Sequence, residues 1–555
     1  MPRDHHFADL VFTGGPVYTV DPARSWAGSV AVRDGRIVVV GDDHDVRHLI
    51  GANTEVVDLA GKLLLPGFQD SHVHPVLAGA GLRSCALYDL EEADLYVDAV
   101  AAYAAAYPQR EWITGGGWSM EAFPGGTPHR SMLDAVVPER PVALPNRDGH
   151  GLWANSRALE IAGIDRDTPD PADGRIERDS DGVPTGMLQE GAADLVTRHI
   201  PAITDEEFYE GLLEGQRHLH GFGITGWQDA AVGSGFGPGD VYGAYLVAAG
   251  RGTLTARVRG AQWWDRDGGL EQLAGFADRR EQAAGAGEGR GRFRAGSVKI
   301  MLDGVAENHT AAMLEPYLDG CGCSSGESGI DFIDPGKLAE YVSELDAAGF
   351  QVHFHALGDR AVRSALDAVE EAQRRNGRRG NRHHLAHLQV VHPDDIPRFR
   401  ALGATANIQP LWAMHEPQMD ELTIPFLGER RSGWQYPFGS LLRAGAMLAA
   451  GSDWSVSTPD VMLGAHVAVN RCGPEDGERV FGPEERIDLG AAIAAYTAGS
   501  ARVNHLDAET GSVQPGKYAD LVVLDRDPFA GPARDIGRTG VDRTYVEGVL
   551  VHAAS

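Results

Sequence analysis

Two histidines one residue apart, in Asp70-Ser-His72-Val-His74, follow the apolar run LLLPGF. Residues i and i+2 of a strand project to the same face, so His72 and His74 can aim at one point. Neutral imidazole nitrogens suit zinc and similar divalent ions. Four more residues occupy comparable places. Lys299 is flanked by apolar residues in SVKIMLDG. His355 lies in QVHFHALGDR, with His353 two residues before it. His387 lies in HHLAHLQ, near His383 and His384, and Asp453 closes AAGSDW. A lysine in an apolar strand is rare, and needs either an acid partner such as Asp303 or a chemical alteration. Singly, a strand histidine is more often an ordinary core residue, and an acid after a strand is often a helix cap. Six such residues placed to converge at one end of a sheet point instead to a metal site.

The elements that must position them alternate. Eight apolar runs read as strands: 62–70, 222–229, 254–261, 296–302, 349–357, 383–389, 403–409 and 446–453. Helical stretches lie between several of them, such as PGKLAEYVSELDAAG and DRAVRSALDAVEEAQRR. Eight strands alternating with helices predict an α/β fold, a (β/α)8 TIM barrel over 67–80 and 206–505. Both chain ends are β-rich and punctuated by Gly and Asp-Gly, which predicts one small β-sandwich built from 1–66 and 506–555. The first strand ends at 70 and the second begins at 222, far beyond an ordinary connection. Residues 81–205 are therefore expected to form an inserted subdomain after barrel strand one, above the C-terminal face where barrel enzymes keep their sites.

Composition narrows the function classes. The chain has 555 residues, is 43% hydrophobic and carries a net charge of −30, which disfavours nucleic acid as a partner. Its four cysteines, Cys85, Cys321, Cys323 and Cys472, are too few for a disulfide scaffold and lack four-cysteine zinc spacing, so free thiols are expected. The start MPRDHHFADL has no apolar signal region, and no run approaches the ~18 apolar residues of a membrane span. A cytoplasmic protein acting on a small molecule, without membrane partners, is the expectation; a homodimer is the base-rate expectation for assembly.

The series LPGFQDSHVH, VKIMLDG, HFHALGDRA, LAHLQ and GSDW resembles the amidohydrolase superfamily. More narrowly it is similar to the amidohydrolase-3 branch, which includes N-substituted formamide deformylases. The likeness runs through nearly the whole chain, including HGLWANSRAL, PTGMLQEG and the closing GSVQPGKYADLVVLD. The resemblance implies a binuclear site. His72 and His74 would hold one metal with Asp453, His355 and His387 the other, and Lys299 would bridge them as a carbamate formed with CO2. His355 is preferred over His353 because it lies nearer the strand end, and His387 over His383 and His384 by the family pattern. Zinc is the first expectation for both ions; manganese or iron also suits such a site. The implied mechanism is attack by metal-activated hydroxide, with Asp453 taking the water's proton and returning it to the leaving nitrogen.

Substrate choice is expected to lie in the insertion. Trp118, Met120 and Phe123 follow a Gly-rich turn, and His150 and Trp153 lie in DGHGLWANSRAL. Trp264 and Trp412 follow strands three and seven. Trp118, Trp153, Trp264 and Trp412 are candidates for an apolar wall, although Trp153 has an equal claim to be subdomain core. His150, between two glycines, is a candidate to hydrogen-bond the carbonyl oxygen. The best reading is hydrolysis of a non-peptide C–N amide bond in a small neutral substrate with an apolar nitrogen substituent, as in an N-substituted formamide yielding formate and amine. The alternatives are a cyclic amide, imide, lactone or aminated heterocycle on the same metals, or a non-catalytic binding protein on this scaffold.

Overall fold

The computed structural model describes residues 7–88, 90–234, 239–286, 291–475, 477 and 479–554. Residues 1–6, part of the stretch read for a secretion signal, lie outside these. Eight parallel strands form one sheet in sequence order: β1 (Phe68–Val73), β2 (Ile224–Val232), β3 (Arg257–Trp263), β4 (Phe293–Met301), β5 (Gln351–Ala356), β6 (His384–His387), β7 (Thr405–Ile408) and β8 (Met447–Ala450). The ends meet just beyond β8, where Asp453 N donates to His72 O at 2.8 Å and His74 N donates to Trp454 O at 2.9 Å. The protein is thus a TIM barrel.

The helices cover the barrel because their apolar residues recur at helical spacing. In the helix Asp359–Asn376, Ala361, Val362, Ala365, Leu366, Ala368, Val369 and Ala372 are buried, giving a single inward stripe. Asp334 caps the helix Pro335–Ala347 by accepting from the Gly336 and Lys337 amides. A capping box of Thr204 and Glu207 starts Asp205–Gly221.

The run expected as one strand over 62–70 divides. Leu64–Pro66 pairs antiparallel with Leu521–Leu524 in a six-stranded sheet that joins both chain ends, whereas β1 begins at Phe68. Gly67 is the crossing point. Its amide donates to Asp520 O, and a Cβ there would lie 2.5 Å from Thr225 Cγ2. A second, four-stranded sheet from residues 10–58 faces the first, and Leu10, Phe12, Val30 and Val32 share a core with Leu64, Leu521, Val523 and Tyr545. Arg257 on β3 anchors the barrel to the terminal sheet through Asp520 (2.7 Å) and Glu547 (2.8 Å).

Between β1 and β2 the chain builds a six-stranded sheet, from Cys85–Ala86 at one edge to Gly174–Arg178 at the other. Gly151–Ala154 and Pro184–Glu190 are antiparallel neighbours within it, with Gly151 opposite Gln189. Cys85, Cys321, Cys323 and Cys472 form no disulfide. Among the described residues, no helix is long and apolar enough to cross a membrane.

Candidate metal centre

The C-terminal ends of β1, β5 and β6, and the loop after β8, bring the ligand candidates together. His72 Nε2 lies 3.2 Å and His74 Nε2 3.1 Å from Asp453 Oδ1. One ligand atom from each of these three residues falls within 4.8 Å of the others. His387 Nδ1 is 3.9 Å from Asp453 Oδ2, and the His387 ring sits 4.7 Å from that of His72 and 4.4 Å from that of His355. Register carries Lys299 to the same place. It is paired with His353 on β5 and Trp263 on β3, and residues paired across strands share a face.

Close backbone approach makes the cluster compact. A Cβ on Gly451 would lie 2.7 Å from the His72 amide, so only glycine lets the end of β8 lie so near β1. Asp70 ties the same junction by accepting from the His72 amide and from the Ser452 amide and hydroxyl. His387 at φ +80° and Asp453 at φ +55° occupy the left-handed region, which L-residues rarely adopt outside functional sites.

Burial favours the neutral, lone-pair-donating form of His72, His355 and His387. Burial lowers His72 to about 3, aided by the Lys299 charge. Burial likewise pushes His355 and His387 well below the ordinary histidine value, and their cationic neighbours push them further. Burial pulls Lys299 down to about 7, against the charge of Asp453. Asp453 is raised by burial, but the His72 and His74 imidazoles outweigh that and hold it well below the carboxylate range.

The residues fit a metal. His387 is 2% exposed, and neither ring nitrogen has a hydrogen-bond partner. A buried polar atom left so is costly unless something else binds it. The other histidines differ in their contacts. His353 Nε2 bonds His72 Nδ1 at 2.8 Å, which fixes the His72 ring with Nε2 toward Asp453. His383 accepts from the Val352 amide and meets Asp346, and His384 meets Gln228 and Asn407, all away from the cluster. Asp303 is not a partner of Lys299. Its carboxylate accepts from the Ala312, Leu357 and Gly358 amides.

The insertion supplies a second group. The His150 ring lies 5.8 Å from that of His355, on the metal side. Its Nδ1 meets Glu190 Oε2 at 2.9 Å, and Glu190 Oε1 accepts from Thr310 at 2.8 Å. Strand pairing causes this contact, because the Glu190 amide donates to His150 O across the antiparallel pair. Burial pulls His150 down, but Glu190, with Asp148 and Asp453, holds it at about 9. Glu190 itself sits at φ +50°. The sequence singled out neither Asp148 nor Glu190, and it offered His353 only as an alternative ligand to His355. The acids stood in the quoted runs DGHGLWANSRAL and PTGMLQEG, but only strand pairing shows that Glu190 meets His150.

The tryptophans separate. Trp412 stacks on His387, at 5.4 Å and 7° between planes, and borders a cavity of about 570 Å3. Trp118 also borders this cavity, although its indole is buried and donates to Leu144 O. Trp153 is not a wall residue. It is fully buried against Trp118 and Phe123 in the insertion core. Trp264 is also corrected. It packs on Tyr341 and Phe276 of the outer helices, and alternation along β3 turns its neighbour Trp263 toward Lys299 instead.

Barrel and cluster together define a metal-dependent hydrolase. The chain belongs to the amidohydrolase family, whose model matches residues 55–552. It is 32% identical over 552 residues to Protein LONG AFTER FAR-RED 3 of Arabidopsis thaliana, covering 98% of this chain and 91% of that protein. It is 28% identical over 556 residues to N-substituted formamide deformylase of Arthrobacter pascens, covering 98% of each. A solved structure of an uncharacterized metal-dependent hydrolase from Pyrococcus furiosus superposes with a TM-score of 0.71 at 26% identity, covering 94% of this chain and 99% of that one.

Proposed function

We propose that the protein hydrolyses a non-peptide C–N amide bond in a small molecule, with an N-substituted formamide, giving formate and an amine, as the leading substrate. The observation that carries the reading is the convergence of His72, His74, His355, His387, Lys299 and Asp453 with the His150–Glu190 pair. His72, His74 and Asp453 would hold one divalent ion, His355 and His387 a second, and Lys299 as a carbamate would join the two. Ions there supply Lewis acidity toward a carbonyl and an acidified water. A lysine held near 7 has a large unprotonated fraction at neutral pH, the form that adds CO2. Asp453, ionised and beside the cluster, accepts a proton from the attacking water and returns it to the departing nitrogen. His150, with Nδ1 fixed on Glu190, presents Nε2 as a charged donor to the oxygen that becomes anionic.

The distant relative named as a deformylase supports the formamide choice. The test is a hydrolysis screen of N-substituted formamides against cyclic amides and lactones, with metal content measured on the same sample. Formate release that ends on chelation and returns with zinc is the expected result. Opening of a lactone or cyclic imide with no attack on any formamide would overturn the substrate choice.

A further inference from the structure

The cavity beside Trp412 has a chemical character that a neutral, apolar substituent does not explain. Asp148, Glu307 and Glu416, all half-buried, line it together with the exposed Glu121 and Glu91. Arg147, also in the lining, donates one guanidinium nitrogen to the Tyr88 and Leu90 carbonyls and is the cation that offsets part of this acidic charge. Asp148 accepts from the His150 amide, and Glu307 accepts from Thr423 at 3.1 Å. Glu416 is different: its carboxylate has no hydrogen-bond or salt-bridge partner among the described residues. Burial first, then the like charges of Glu121 and Glu307, raise it to about 7 against the opposing charge of Arg147. Several acids around one cavity repel each other, and a bound cation relieves that repulsion. Trp412 and Tyr436 also line the cavity, and aromatic rings attract cations.

We infer that the substrate carries a positive charge, an alkylammonium or guanidinium, on the substituent beyond the scissile amide, seated between Glu416, Glu307 and Trp412. This rests on the proposed amide hydrolysis and replaces the neutral apolar substituent expected from the sequence. The carbonyl would lie at the metal cluster beside His150, and Asp148 spans the two regions because it contacts His150 and lines the cavity.

The test has two arms on the metal-loaded protein. In the first, kcat/KM is compared for N-(aminoethyl)formamide, uncharged N-propylformamide and anionic N-formyl-β-alanine. The cation should be preferred over the neutral substrate by about tenfold or more, equivalent to about 1.4 kcal/mol, and the anion should be poorest. Glu416→Gln should shrink the cation-to-neutral ratio. The second arm needs no turnover. Calorimetry with choline and its uncharged tert-butyl isostere should show tighter binding of choline, weakened in Glu416→Gln and Glu307→Gln. If choline is preferred while no formamide is cleaved, the cation site stands and the amide reading fails. If formamides are cleaved with equal efficiency whatever their charge, or choline and its isostere bind alike, the cation inference is overturned and the amide reading survives.

Discussion

Glu190→Gln should move the alkaline limit of activity without disturbing the fold. The change removes one negative charge 2.9 Å from His150 Nδ1 and leaves a side chain of the same shape within reach of Thr310. In the folded protein burial acts to lower His150, yet Glu190 holds it at about 9 against an ordinary 6.5. At 1.36 kcal/mol per pH unit, that rise is worth about 3 kcal/mol in favour of the imidazolium. Without the carboxylate, burial is opposed only by Asp148 and Asp453, and His150 should fall back toward the ordinary 6.5. At pH 8 the charged fraction would then drop roughly thirtyfold, and kcat/KM with it, if imidazolium is the active donor. The assay is the pH profile of kcat/KM for the best formamide. The alkaline limb should lie near 9 in the parent and shift toward 6.5 in the variant, with activity recovering toward mild acid until the metal ligands protonate. Stability carries the same signature. A raised folded value means stability that is fully present below 6.5 and lost as pH rises through about 9, so parent unfolding free energy should decline across that window and the variant's should not. An alkaline limb that stays near 9 in Glu190→Gln would refute the role given to this pair.

Other outcomes follow from the site. Asp453→Asn should lower kcat by 10²–10⁴-fold, the typical worth of proton transfer, with the fold kept by circular dichroism; near-normal turnover would exclude Asp453 as the base. A carbamate resonance from carbon-13 bicarbonate should appear in the metal-loaded parent and be absent from Lys299→Met, which should also lose metal by elemental analysis. Trp153→Ala should cost about 3–5 kcal/mol in denaturant unfolding, as emptied aromatic core sites do. Trp264→Phe should leave kcat/KM within about twofold, whereas Trp412→Ala, which strips a ring from His387 and the cavity, should lower it about tenfold, equivalent to about 1.4 kcal/mol.

Much of this protein could be read along the chain because the relevant signals are local. Alternation on a strand puts His72 beside His74, and a lysine inside SVKIML stands out wherever the strand ends up. The barrel follows from repetition of strand and helix, and all eight strands were found. The misplaced boundary at Gly67 marks where two sheets share one apolar run, which no periodicity records. The facing of a residue just past a strand was not legible either. Trp264 and Trp263 differ by one position, and only the pairing of Trp263 with Lys299 shows which turns inward.

What tertiary structure decided is every contact between distant segments. The sequence named His353 and His355 as alternatives; folding puts the first against His72 Nδ1 and the second beside His387. It joins His150 to Glu190, forty residues apart, by pairing two strands of the insertion. It also gathers Asp148, Glu307 and Glu416 around one cavity, a grouping that no single motif carries. Ligand types belong to the residues themselves, whereas charge states and pocket chemistry depend on burial and on neighbours, which exist only once the chain has folded.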